Sequence, residues 1–206
     1  MFKFALIIIG VCYAIISKND FHVYLIINAS LLMIMLMNRR NINVVHLCAL
    51  MLAVCLGEVL LFEHVILTRS DTLSAMQVNT IIFSLHFLAD LLLFCLVMFR
   101  APFTRSYLAA RNKAYDHVFI YNAEFALTSL FVVFMAVDLL ALGENFIRHL
   151  DELGFSLETA QLFSGWNWVY YQYETIKSIL LGMTFLLVWM MTYPLGQDVY
   201  QEAPAN

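Results

Sequence analysis

Apolar runs of membrane-spanning length follow one another along almost the whole chain, and ionisable side chains interrupt them. This pattern constrains the fold more than any other feature. A bilayer core takes about 20 apolar residues per helix, and six runs approach or exceed that length, at residues 4–16, 21–37, 44–62, 73–99, 118–143 and 166–193. The chain is 63% hydrophobic and 13% charged with mean hydropathy +0.81. Soluble domains are nearer to 45–50% apolar and about 25% charged, so one globular core cannot absorb this excess. The expected fold is therefore all-α, a single polytopic bundle of six transmembrane helices spanning residues 1–206, with short loops. Two amphipathic linkers, 103–115 and 144–163, are expected to be interfacial helices. In the first, Phe103, Tyr107 and Leu108 share a side, and Pro102 marks the break after the preceding span. In the second, Phe146, Ile147, Leu150 and Leu153 recur at helical spacing, Gly154 suits a helix end and Ser156 suits the cap of a second short helix from Leu157 to Phe163.

The first run, 4–16, is short and follows Lys3. It reads as a retained span rather than a cleaved leader, because no small-residue cleavage site follows it. Basic residues set the expected orientation. Lys3, Arg39, Arg40, Arg100, Arg105, Arg111 and Lys113 would share one side, against Lys18, Arg69 and Arg148 on the other. Both termini are thus expected in the cytoplasm, with the chain in a bacterial inner membrane.

Charge inside hydrocarbon is costly, so ionisable residues within spans face one another, a cavity or a partner. Glu58, Asp90, Glu124, Asp138 and Glu174 are the acids at depth, and Lys177 is the base. His86 lies mid-span, while His22, His46 and His64 lie nearer span ends. Spacing suggests two pairs. Glu174 and Lys177 are three apart, and His86 and Asp90 are four apart, so each pair shares a helix face with the reach to meet. Asn79 extends the His86–Asp90 face, and Tyr170 and Ser178 extend that of Lys177. Lys177 lies about 17 Å into the last run at about 1.5 Å per residue. Asp90 is its best candidate partner on another helix. Glu124, Asp138 and Glu58 lie close enough to span ends to snorkel towards headgroups. Five acids against one lysine leave four negative charges uncompensated if all are ionised. Protonation, water or a cation from a partner subunit would resolve that.

Several chemistries are excluded by pattern. There is no GxSxG elbow, no HExxH and no histidine pair at matched mid-membrane depth, so no catalytic residue, metal site or cofactor is expected. Cys12, Cys48, Cys55 and Cys95 form no CxxC pair and read as small hydrophobes. A net charge of −4 argues against nucleic acid as a partner. Only Gly10, Gly57 and Gly182 lie well inside spans and no proline does, which predicts continuous helices without the mid-membrane breaks that transporters often use. The expected partners are the lipid bilayer and further membrane subunits or copies of the chain. The expected role is non-enzymatic and exercised through assembly, as a homo-oligomer or an accessory subunit. The alternative is a small transporter or proton/cation-conducting protein using the intramembrane carboxylates, His86 and Lys177.

Overall fold

The computed structural model describes residues 20–64 and 72–193, with only the backbone described for 20–24. Seven α-helices account for nearly all of it: α1 (Asp20–Met37), α2 (Ile42–His64), α3 (Ala75–Met98), α4 (Arg100–Ala110), α5 (Asn122–Arg148), α6 (Leu157–Phe163) and α7 (Tyr173–Met190). A 3₁₀ turn, Tyr170–Gln172, leads into α7. Four helical stretches are long and apolar enough to cross a membrane: α2, α3, α5 and the turn plus α7, Tyr170–Met190. The run 21–37 coincides with α1, whose described apolar stretch, Leu25–Met37, is shorter. The run 4–16 lies outside the described residues.

α1 and α2 form a hairpin closed by Asn38–Asn41. α3 packs along α5 over most of its length, α7 lies on α5, and α2 lies on α3. One apolar core threads all of them, including Leu31 and Ile34 of α1, Leu47 and Met51 of α2, Phe83 and Leu93 of α3, Leu127 and Phe134 of α5, and Leu180 and Val188 of α7. The alternating helix directions gather Asn38–Asn41, α4 and residues 111–121 at one end. Asn41 Nδ2 donates to Tyr121 Oη at 2.9 Å and Asn43 Nδ2 to the His117 carbonyl at 3.1 Å there. This end carries Arg39, Arg40, Arg105, Arg111 and Lys113. The opposite end carries α6 and the aromatic segment 166–172.

Helix boundaries differ from the sequence pattern in three places, each for a local reason. α4 starts at Arg100, directly after Phe99, rather than at 103. The break that Pro102 marks falls at Phe99, three residues before it. Pro102 lies in the first turn of α4, where its missing N–H is no loss. Leu108 is buried with Ala101 and Thr104, while Phe103 and Tyr107 face outward, so the three residues expected on one side are split. α4 ends where Asn112 takes a positive φ of 53°.

α5 starts at Asn122, not 118, because the preceding segment is held by arginines. Phe119 O accepts from Arg100 and Val118 O from Arg105. α5 then continues to Arg148, so the first part of 144–163 belongs to a long helix, while the second short helix expected from Ser156 forms over Leu157–Phe163. Residues 144–148 complete α5, and the chain closes a tight turn through Gly154 (φ 89°). It restarts at Ser156, whose hydroxyl accepts from Thr159 N, as its capping position suggested. Phe146 and Leu150 are half-buried and Asp151 is exposed, in line with the helical pattern, but Leu153 points outward.

The last helix proper begins at Tyr173, not 166. Glu144 Oε2 accepts the N–H groups of Val169 and Tyr170 at 2.8 and 2.9 Å, which ties the aromatic segment to the side of α5. Lys177 is thus only about 6 Å into its helix at 1.5 Å per residue. Its depth comes instead from what it touches.

Candidate functional site

Two polar centres hold the bundle, and both bring together residues far apart in sequence. The first lies at mid-span. Lys177 Nζ donates to Asp90 Oδ2 at 2.5 Å and to Asp138 Oδ1 at 2.8 Å. Asp90 lies about 12 Å from the nearer end of α3 and Asp138 about 15 Å from the nearer end of α5 at 1.5 Å per residue. One ammonium therefore joins α3, α5 and α7. Tyr173 Oη donates to the same Asp138 Oδ1 at 2.7 Å. The rings of Phe134 and Tyr173 lie 5.0 and 5.6 Å from Nζ, so the cation rests on aromatic faces as well as on carboxylates. Asp138 is 0% exposed and Asp90 7%. The two carboxyl groups thus share a single ammonium. Asp138 Oδ2 is buried with no hydrogen-bond partner among the described residues.

Beside this cluster, His86 Nδ1 meets Glu58 Oε1 at 2.6 Å, joining α3 to α2. Phe62 stacks on the imidazole at 4.7 Å between ring centroids, and the Tyr173 ring lies 6.0 Å away on another side. Towards the aromatic end, Asn79 Nδ2 donates to Asn145 Oδ1 and Tyr170 Oη, both at 3.2 Å. Asn145 Nδ2 in turn donates to Met76 O and Thr80 Oγ1.

The second centre lies at the basic end. Arg100 Nε and one terminal nitrogen donate to the two oxygens of Glu124 at 2.6 and 2.7 Å, a bidentate pair. The guanidinium also donates to Asn43 Oδ1 at 3.0 Å and Phe119 O at 2.6 Å. Arg100 is 0% exposed and Glu124 2%. Glu124 Oε1 accepts the Tyr121 N–H at 3.0 Å too, which caps α5. His46 Nδ1 and Thr104 Oγ1, hydrogen-bonded at 3.0 Å, add a contact between α2 and α4.

The residues singled out from sequence therefore separate. Asp90, Asp138 and Lys177 come together, and His86 and Glu58 form the adjoining pair. Glu124 belongs to the other centre. Glu174 belongs to neither: it is exposed in the first turn of α7 and forms no ion pair with Lys177. The expected His86–Asp90 pair is also replaced, each partner turning to a different helix. Snorkelling fails for Asp138 and Glu124, which point inward to cations, and Glu58 turns to His86. Sequence reasoning missed Arg100, Asn43, Tyr173 and Asn145. Arg100 follows an apolar run directly, so hydropathy assigned it to a loop. The available signal was Pro102 two residues later, which fits the first turn of a new helix.

The arrangement provides fixed charges and titratable groups. Among the described residues, no group of three or more His, Cys, Asp or Glu side chains is placed to hold a metal ion. Cys48, Cys55 and Cys95 are free thiols.

No family model, curated protein or solved structure matches this chain.

Proposed function

We propose that this chain is a non-enzymatic polytopic protein of a bacterial inner membrane that works through assembly, as a homo-oligomer or an accessory subunit. The observation that carries this reading is how its deep charges are used. Lys177 binds Asp90 and Asp138, and Arg100 binds Glu124, so the basic groups at depth fasten helices of the same chain. The outward faces are left to apolar side chains such as Leu32, Leu56, Leu88 and Leu140. Between 22% and 39% of each crossing window is buried within the chain, which leaves wide helix faces for lipid or a neighbouring copy. Purified protein in nanodiscs, weighed by mass photometry or native mass spectrometry, tests the homo-oligomer. Particles holding several 23.7 kDa chains are expected, and uniform single-chain particles would contradict it.

In the proposed topology six spans cross the membrane, the first being 4–16, and both termini are cytoplasmic. The clustering of Arg39, Arg40, Arg105, Arg111 and Lys113 at one end supports that orientation. In a variant without native cysteines, Asp151→Cys should react with a membrane-impermeant maleimide in spheroplasts, and Ser106→Cys should react only after lysis. Equal labelling of both from outside would refute this topology, and labelling of Ser106→Cys alone would reverse it. A transporter or proton-conducting reading keeps one specific support, the Asp138 oxygen that has no hydrogen-bond partner among the described residues.

A further inference from the structure

The mid-span cluster contains two carboxyl groups and one ammonium. Fully ionised, it would carry one net negative charge near the centre of the bilayer. The groups facing it are few. α3 supplies Asp90, with His86 one turn away. α5 supplies Asp138, and α7 supplies Lys177 and Tyr173. α2 supplies Cys55 and Glu58, the latter engaged with His86. None of these adds a second cation at the carboxylates, since His86 turns its Nδ1 to Glu58.

The hydrogen-bond inventory shows the same imbalance. Asp138 Oδ1 accepts from both Lys177 and Tyr173, while Oδ2 is buried without a donor among the described residues, and Asp90 holds the same ammonium. Ionised carboxylates only accept hydrogen bonds, so neither can satisfy the other. A proton between them would supply the donor and cancel the charge. A metal cation would have to share the space already taken by the ammonium between the carboxylates.

We propose that Asp90, Asp138 and Lys177 form an intramembrane proton-binding site, holding one exchangeable proton between the two carboxyl groups beside the Lys177 ammonium. Two carboxylates, one ammonium and one proton sum to zero charge. Loss of the proton leaves an ionised pair with Lys177 and one surplus carboxylate, so the site can lend a proton within the membrane. Its ligand is the proton itself. This site does not depend on the assembly reading, because all of its groups come from one chain.

Infrared spectroscopy of the full-length protein in liposomes tests it, with aspartate labelled by ¹³C at the side-chain carboxyl. Near neutral pH the unlabelled protein should show the carbonyl stretch of a protonated carboxyl, and the label should shift that band, assigning it to aspartate rather than Glu58. Asp90→Asn and Asp138→Asn should each abolish it, because one carboxylate and one ammonium are already neutral together. Lys177→Met should strengthen it, because two carboxyls then lack their cation. A wild-type spectrum without a protonated aspartate band would overturn the proposal, and this holds even where a variant fails to fold. A band that survives both asparagine substitutions would overturn it too. The particle mass in nanodiscs is read separately, so failure of the homo-oligomer leaves this result standing.

Discussion

Replacing Arg100 by leucine is expected to unfold the basic end of the bundle. The side chain is 0% exposed and makes four hydrogen bonds, two to Glu124 and one each to Asn43 and Phe119. Leucine fills part of the volume but leaves Glu124 as a buried carboxylate with no cation. Breaking one side of such a pair typically costs about 3–5 kcal/mol. The loss spreads further, because Arg100 also fixes the non-helical segment before α5 and, through Asn43, the start of α2. Arg100→Lys should recover only part of the stability, since an ammonium cannot reproduce the two parallel bonds to Glu124. Thermal unfolding in detergent, followed by circular dichroism, should show the largest loss for leucine and an intermediate one for lysine. Wild-type stability in Arg100→Leu would mean that this arginine faces water.

Lys177→Met is expected to have an effect of similar size at mid-span, again about 3–5 kcal/mol by the same argument. Here the loss reaches three helices, because one ammonium joins Asp90 on α3 and Asp138 on α5 to α7. The expected rescue differs from what spacing alone suggests. Glu174 lies three residues from Lys177, yet it sits exposed in the first turn of α7. A negative charge there is favoured by the N-terminal end of the helix dipole and needs no lysine. Glu174→Gln should therefore leave Lys177→Met as unstable as before. Asp138→Asn, which removes the surplus carboxylate, should restore part of the loss.

These two centres show how far one sequence can be read. Apolar runs located the long helices because hydrophobic length is a local property, and α2 and α3 match their runs to within two residues. The choice of ionisable residues was also legible, since a carboxylate or lysine in hydrocarbon needs a partner wherever it lies. Pairing was not. His86 and Asp90 do lie one turn apart on α3, but His86 turns to α2 and Asp90 to α7. Spacing along a helix says which side chains share a face, and the packing of neighbouring helices decides what that face meets. Arg100 was hidden for a related reason. Hydropathy places charges by their position along the chain, and only the sharp turn from α3 into α4 brings this one inward. The start of α7 was misplaced because Glu144, on a different helix, holds the backbone of Val169 and Tyr170.

The charges at mid-span are partnered across helices within one chain. A double-mutant cycle on Lys177→Met and Asp138→Asn measures that partnership, with Lys177→Met and Glu174→Gln as the parallel cycle, read by thermal or denaturant unfolding of the reconstituted protein. Residues in contact commonly couple by about 0.5–3 kcal/mol, whereas independent sites add within about 0.5 kcal/mol. Clear coupling is expected between Lys177 and Asp138, and additivity between Lys177 and Glu174. Additivity in the first cycle with coupling in the second would mean that Lys177 is held by its own helix instead.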